Sequence, residues 1–523
     1  LHVDSSHSKK NAFGNPLQNE IKIACLCDIS SWGMLIKQHC FRAGFGDVTL
    51  LYRGLSSLNA DHNYDIIFID ENIDEHRAGG EVVDGLLANR IIKSTTAVVM
   101  VGTEANTYLH EYDNPLMLLE YLTTPFSEKG LLDTILVLAR AVTLFKPTLT
   151  FISNGKLSFA FKALNAIPKG NITSDLIETY SRLKINLTLE MGQFAKVLAI
   201  CSKPNVKEQA WSLWPSLKAN YELGNWEHYK QSLLQESFLS LPSGSVKLFW
   251  QLRILLQQQD FEGAMELVNT YPSTNMPTTM VRLVFMILIL AKRFDDAQKF
   301  MERKIRLAPD NSELFGQLTV SLCSVYLYEY LPSSSDHKAI LMSKLKRRLA
   351  EFKKMLVVKK FAVEVTLIEI YIVIIDADGD LEQLMKIKKK LDQVTKLNNS
   401  PIITCRLAYA WYLIGEHERA FNLMVDIDAC FSFMPLGSER LILSMVQTEM
   451  FNSMYDESQR FDSYRRLGDA HLQQQRYKLA CKAYARALQH KADPKVKQKL
   501  SNAMEDADMP HFSGYKLNTD SEE

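Results

Sequence analysis

Short apolar runs punctuate the first quarter of the chain. Ile21-Lys22-Ile23-Ala24-Cys25-Leu26-Cys27 stops at Asp28, Asp65-Ile66-Ile67-Phe68-Ile69 stops at Asp70, and Thr96-Ala97-Val98-Val99-Met100-Val101 stops at Gly102. Runs of this length, separated by helix-length spans, read as parallel strands buried on both faces. Val48-Thr49-Leu50 and Glu120-Tyr121-Leu122 read as outer strands, and the amphipathic stretch from Leu131 to Phe145 as a closing helix. The pattern predicts a doubly wound α/β domain with a five-stranded parallel sheet over 21–145. Residues 1–20 are polar and lack an apolar repeat, so they are expected to be a flexible leader. In such a sheet ligand chemistry gathers at the carboxyl ends of the strands, where Asp28 and Asp70 fall.

Beyond Pro147 the period changes. Gly192-Gln193-Phe194 with Val197, Gly224-Asn225-Trp226 with Tyr229, Gln259-Asp260-Phe261 with Ala264, and Lys292-Arg293-Phe294 with Ala297 place an aromatic residue at intervals of 32, 35 and 33 residues. Gly155-Lys156-Leu157 with Ala160, Gly379-Asp380-Leu381, and Gly415-Glu416-His417 with Ala420 extend the series. The fullest match is Tyr464, Leu467, Gly468, His471, Tyr477, Ala480, Tyr484 and Ala487, followed by Pro494. A period of this size belongs to stacked helical hairpins, in which small residues let paired helices approach and an aromatic wedges at each turn. The array is expected over 146–500, with 501–523 as a flexible tail. From 311 to 378 the register weakens, and Leu341 to Lys360 reads as one long amphipathic helix.

Composition narrows the function classes. Lys plus Arg and Asp plus Glu are 60 each, so there is no global attraction to nucleic acid or to an anionic membrane, and neither is expected as a partner. The run Leu283 to Leu290 is about half the length that crosses a bilayer and reads as a buried helix, not a membrane span. Eight dispersed cysteines with no signal-peptide pattern suggest reduced thiols and a cytoplasmic protein. No Walker-type loop, His-Glu-x-x-His motif or serine-nucleophile elbow is present, and the chain is not expected to be an enzyme.

The strand pattern and its terminal residues resemble the receiver domain of two-component response regulators. That resemblance implies a phosphoacceptor aspartate ending the third strand, matched by Asp70. It implies an acidic pair ending the first strand, of which Cys27-Asp28 keeps only the second member. The hydroxyl residue ending the fourth strand is matched by Gly102, with Thr103 displaced by one, and the lysine before a cis-proline is matched by Thr124 before Pro125. Asp28 and Asp70 are then the metal candidates, and a neutral thiol at Cys27 leaves at most weak Mg²⁺ binding. An ionised side chain at a strand end also stays solvated at little cost, so Asp70 has a bland reading as a vestige of the scaffold. The helical repeat resembles a tetratricopeptide array, and the combination is similar to bacterial response regulators without a DNA-binding output.

The resemblance implies a non-catalytic signalling adaptor that binds a protein partner, a sensor histidine kinase or another two-component protein, through the array and the degenerate receiver. The alternative is a response regulator switched by phosphoryl transfer to Asp70. A further interaction surface is suggested by the basic run carrying Lys344, Lys346, Arg347, Arg348, Lys353 and Lys354, whose bland reading is a solvated helix face.

Overall fold

The computed structural model describes residues 21–27, 31–51, 64–70, 83, 86, 92–103, 116–207, 209–235, 238, 245–258, 260–270, 276, 278–310, 312–330, 333–377, 381–398, 400–431, 434 and 438–507. The leader over 1–20 and the tail beyond 507 lie outside them. The chain divides into two compact units, one formed by 1–222 with 231–244 and the other by 223–230 with 245–523.

The first unit opens with β1 (Lys22–Leu26), α1 (Ser31–Arg42), β2 (Asp47–Leu51), β3 (Ile66–Asp70), β4 (Ala97–Gly102) and β5 (Leu119–Thr123). The strands form one parallel sheet in the order β2-β1-β3-β4-β5, as the apolar runs predict. Alternate side chains leave a strand on opposite faces. Ile23, Cys25, Ile66, Phe68, Val99 and Val101 therefore enter one core, and Ala24, Leu26, Ile67, Ile69, Val98 and Met100 the other. Burial on both faces explains why the central strands read as continuous apolar runs. In register, Asp70 lies opposite Val101 and Gly102 opposite Thr123, so the family-matched positions end at one edge of the sheet.

Helix α2 (Glu128–Ser153) starts at Ser127, whose hydroxyl accepts the Gly130 N–H at 3.1 Å. It is longer than the 131–145 stretch read from periodicity and passes through Pro147. Pro147 and Thr143, whose carbonyl loses its donor, are both exposed, so water can satisfy the freed group. Phe145 and Leu149 are buried and continue the sheet's core into Leu164, Leu183 and Leu187. Among the described residues this helix alone is both long and apolar enough to cross a bilayer, and its apolar side chains from Leu131 to Ile152 fill that core.

Helices α3 (Leu157–Asn165), α4 (Ile177–Glu190), α5 (Phe194–Cys201), α6 (Pro204–Lys207) and α7 (Leu213–Glu222) follow. Then come α8 (Trp226–Leu233), α9 (Ser245–Gln257), α10 (Phe261–Asn269), α11 (Thr278–Leu290), α12 (Phe294–Leu307), α13 (Glu313–Tyr330) and α14 (Ser335–Phe352). The last are α15 (Ala362–Asp376), α16 (Leu381–Leu397), α17 (Pro401–Leu413), α18 (His417–Phe431), α19 (Ser438–Met454), α20 (Glu457–Gln473), α21 (Tyr477–His490) and α22 (Pro494–Asp506). Residues 501–506, read as the start of a tail, are the last turns of α22, where Ala503 is buried.

One turn geometry recurs between paired helices. Gly155, Gly192, Gly224, Lys292, Gly415 and Gln475 all have positive φ, and each stands two residues before the next helix. At five of these turns the following residue donates its N–H five residues back, as Lys156 does to Phe151, Gln193 to Thr188, Arg293 to Leu288, Glu416 to Trp411 and Arg476 to His471. This is how a left-handed residue closes a helix end. Ala160, Val197, Tyr229, Ala264, Ala297, Ala420 and Ala480, all at the same place after the turn, are 0% exposed. The aromatic residues at the turns are less buried than a core wedge requires. Phe194 is buried, but Trp226, Phe261, Phe294 and Tyr477 are half-buried, because the first residue of a helix projects toward the hairpin end. Gly468 shows close helix approach directly: a Cβ there would fall 2.5 Å from the Tyr484 ring.

Between 335 and 361 the single long helix expected from the sequence is broken. Helix α14 ends at Phe352, a 3₁₀ segment occupies Leu356–Phe361, and Phe352 and Phe361 face each other with ring centroids 6.1 Å apart. The hairpins of the second unit stack in sequence as a solenoid-like arrangement. Helix α11 is buried from Met280 to Ile289 except at Arg282, and it packs on α19 as well as on its sequence neighbours. This contact joins two helices far apart in sequence, and across it Arg282 pairs with Glu439.

Glu449 lies on α19. Desolvation pushes its carboxyl up to about 7, against the Ser453 hydroxyl and the Lys292 and Arg460 cations, which favour ionisation. A raised folded value means that the folded chain holds the proton more tightly than the unfolded one, so stability falls as pH rises from the ordinary carboxyl range to about 7 and levels off above it. In urea titrations Glu449→Gln is expected to flatten that slope, and an unchanged slope would place the titration elsewhere.

Candidate functional site

Asp70 is the last residue of β3 and is half-exposed at the carboxyl edge of the sheet. Its Oδ2 accepts the indole Nε1–H of Trp32 at 2.9 Å. Trp32 stands in the first turn of α1, and the packing of that turn explains its reach. Gly33 is buried directly over Cys27, where a Cβ would come within 2.5 Å of the Cys27 Sγ. The glycine lets α1 settle onto the end of β1, and its neighbour Trp32 then spans to β3. Cys27 itself is 0% exposed, and its N–H donates to the Leu51 carbonyl at 3.3 Å. Its thiol is packed like a small apolar group.

At the other end of the site the Gly102 carbonyl accepts twice from Thr124, from the backbone N–H at 2.7 Å and from Oγ1 at 3.1 Å. The Thr124–Pro125 peptide is cis. Thr103 is exposed in the bend after β4. The structure thus brings Cys27, Asp70, Gly102 and Thr124 to one edge, whereas Asp28 lies outside the described residues. No group of three or more His, Cys, Asp or Glu side chains with metal-binding geometry occurs among the described residues. The donor set fits Mg²⁺ poorly: one Asp70 oxygen already accepts an N–H, the Cys27 sulfur is soft and buried, and the Thr124 hydroxyl is engaged with a carbonyl.

All eight cysteines are free thiols. Burial, reinforced by the neighbouring Cys40 and Cys27, raises the Cys25 thiol, and burial pushes Cys40 up to about 12. Cys25-Leu26-Cys27 is thus packed in the core.

The basic run divides by partner. Lys346 pairs with Asp376 at 2.8 Å, Lys353 with Glu369, and Lys360 with Glu313 at 3.1 Å. Arg348 reaches Glu351 within its own helix at 3.7 Å. Among the described residues Lys344, Arg347 and Lys354 have no ion-pair partner. Sequence reasoning missed Trp32; the signal available was an indole a few residues past the first strand, at the start of the helix that follows it.

Comparison with protein-family models, with curated proteins and with solved structures finds no match to this chain. The sheet order and the helical array therefore stand on their own geometry. Membership of a receiver or tetratricopeptide family remains a resemblance.

Proposed function

We propose that the chain is a non-catalytic signalling adaptor of the cytoplasm, built from a degenerate receiver and a tetratricopeptide-like array that together engage a sensor histidine kinase or another two-component protein. The observation that carries this reading is the occupation of Asp70. An acceptor aspartate must offer its carboxylate to a phosphoryl group, and here an indole N–H holds one oxygen in a charge-assisted hydrogen bond. The positions that would stabilise a transferred phosphoryl group are a glycine with no hydroxyl and a threonine bound to that glycine's carbonyl. Exposed Met34, Leu35 and Phe41 on α1, the last 74% exposed, give the receiver-like sheet an apolar contact face of its own.

The test is phosphoryl incorporation from acetyl phosphate in magnesium buffer, followed by affinity for purified kinase dimerisation domains. The expected result is no labelled Asp70, and affinities of wild type and Asp70→Ala within about twofold of each other, with or without the donor. Donor-dependent binding that disappears in Asp70→Ala would instead make Asp70 a phosphorylation switch.

A further inference from the structure

On α14 the buried residues Leu341, Leu345, Leu349 and Phe352 define the inward side. At 100° per residue, Ile340, Lys344, Arg347 and Glu351, the last paired with Arg348, form a stripe turned away from it, and Lys354 stands in the turn just past the helix. Lys346 and Lys353 lie on the flank facing α15, where Asp376 and Glu369 hold them. The helix is thus anchored by one set of cations and presents a second set outward. Arg347 and Lys354 are exposed and Lys344 is half-buried. The stripe also carries apolar surface, since Ile340 is 54% exposed and Leu356, just past the helix, is 78% exposed. From Ile340 to Glu351 it runs about 16 Å at the helical rise.

A nucleic-acid groove would interleave aromatic residues that this stripe lacks. Its cations lie between two exposed apolar residues, so a complementary partner carries acidic side chains together with apolar ones.

We propose that the outward stripe of α14, Ile340, Lys344 and Arg347, with Lys354 and Leu356 just past its end, is a docking surface for an acidic amphipathic helix of a partner protein. It rests on the adaptor reading and adds the surface and the partner's chemistry. The cations without partners on this face select for acidic side chains, and the two exposed apolar residues select for a helix that also carries leucine.

The experiment uses the full chain and a fluorescent synthetic helix with leucine at i, i+3, i+4 and i+7 and glutamate on the other face, read by anisotropy. Binding that weakens at least about tenfold in the triple variant Lys344→Glu/Arg347→Glu/Lys354→Glu is expected, along with a loss of affinity as salt is raised. Polyglutamate of equal charge should bind several-fold more weakly, because it lacks the apolar anchors. Leu356→Ala should weaken the Glu/Leu helix and leave polyglutamate unchanged, which keeps the test decisive if the triple variant folds poorly. Equal binding of the helix by wild type and by the folded triple variant would overturn the proposal. So would tighter binding of duplex RNA or of phosphatidylserine vesicles through the same residues. The kinase-domain measurement is independent: a chain that binds the kinase domain and ignores the acidic helix refutes this surface alone, and the converse refutes the kinase assignment alone.

Discussion

Asp428→Ala is expected to cost the second unit about 3 kcal/mol. Asp428 is buried on α18, where its Oδ2 meets Nε2 of His471 at 2.9 Å and its Oδ1 accepts the Gln447 amide. These three residues tie α18, α19 and α20 together through one carboxylate. His471 is 0% exposed and its Nδ1 has no partner, so Asp428 is the hydrogen-bond partner of that ring. Removing the carboxylate strands two buried polar groups, each of which carries a desolvation penalty of about 1–3 kcal/mol. Urea unfolding, followed by circular dichroism, measures the loss. Asp428→Asn should lose less, because its amide oxygen still accepts from Gln447. Replacing both Asp428 and His471 with leucine should recover part of the difference, since no ring is then left unsatisfied. A change in Asp428→Ala below about 1 kcal/mol would mean that the hairpins hold together by apolar packing alone.

The network also marks where sequence reading stops. His471 was legible as a repeat position, because its spacing from Tyr464, Leu467 and Gly468 fits the hairpin pattern. Its role was not, since the partners come from positions 428 and 447, and nothing in a periodicity names a long-range polar pair. The sheet was legible because all five strands are short runs with a fixed direction, and burial on two faces writes itself into composition. The hairpin turns were legible for a similar local reason: a left-handed residue two positions before a helix recurs as glycine at four of the six turns and as Lys292 or Gln475 at the others. The contact of α11 with α19 was hidden. Leu283 to Leu290 announces a buried helix, yet an apolar run says only that it is covered and leaves α19 unnamed as the cover. The candidate site divides along the same line. Asp70, Gly102 and Thr124 could be placed because they end strands, and strand ends align in a parallel sheet. The Trp32 contact could not, because it depends on how closely α1 approaches β1, which Gly33 and the Cys27 thiol decide together.

On the receiver reading proposed above, phosphoryl acceptance should require two changes at once. A lysine at position 124 would bring a cation to the edge where Asp70 ends, and truncating one member of such a charged pair elsewhere costs about 2–5 kcal/mol. Thr124→Lys alone still leaves the Trp32 N–H on the Asp70 carboxylate, and Trp32→Phe alone frees that oxygen without supplying charge. Phenylalanine keeps most of the ring's packing and deletes only the donor. The double variant is therefore expected to incorporate phosphoryl from acetyl phosphate about 30- to 1,000-fold faster than wild type, the rate equivalent of about 2–4 kcal/mol. Each single variant should stay within about tenfold of wild type. Intact-mass spectrometry under native conditions counts the adduct, and adding Asp70→Ala to the double variant should abolish it. If Thr124→Lys alone reaches the full rate, the indole is no barrier and the missing lysine is the whole defect. If the double variant stays silent while remaining folded, the receiver reading puts the defect at Cys27 and Gly102, the positions where the resemblance implies an acid and a hydroxyl.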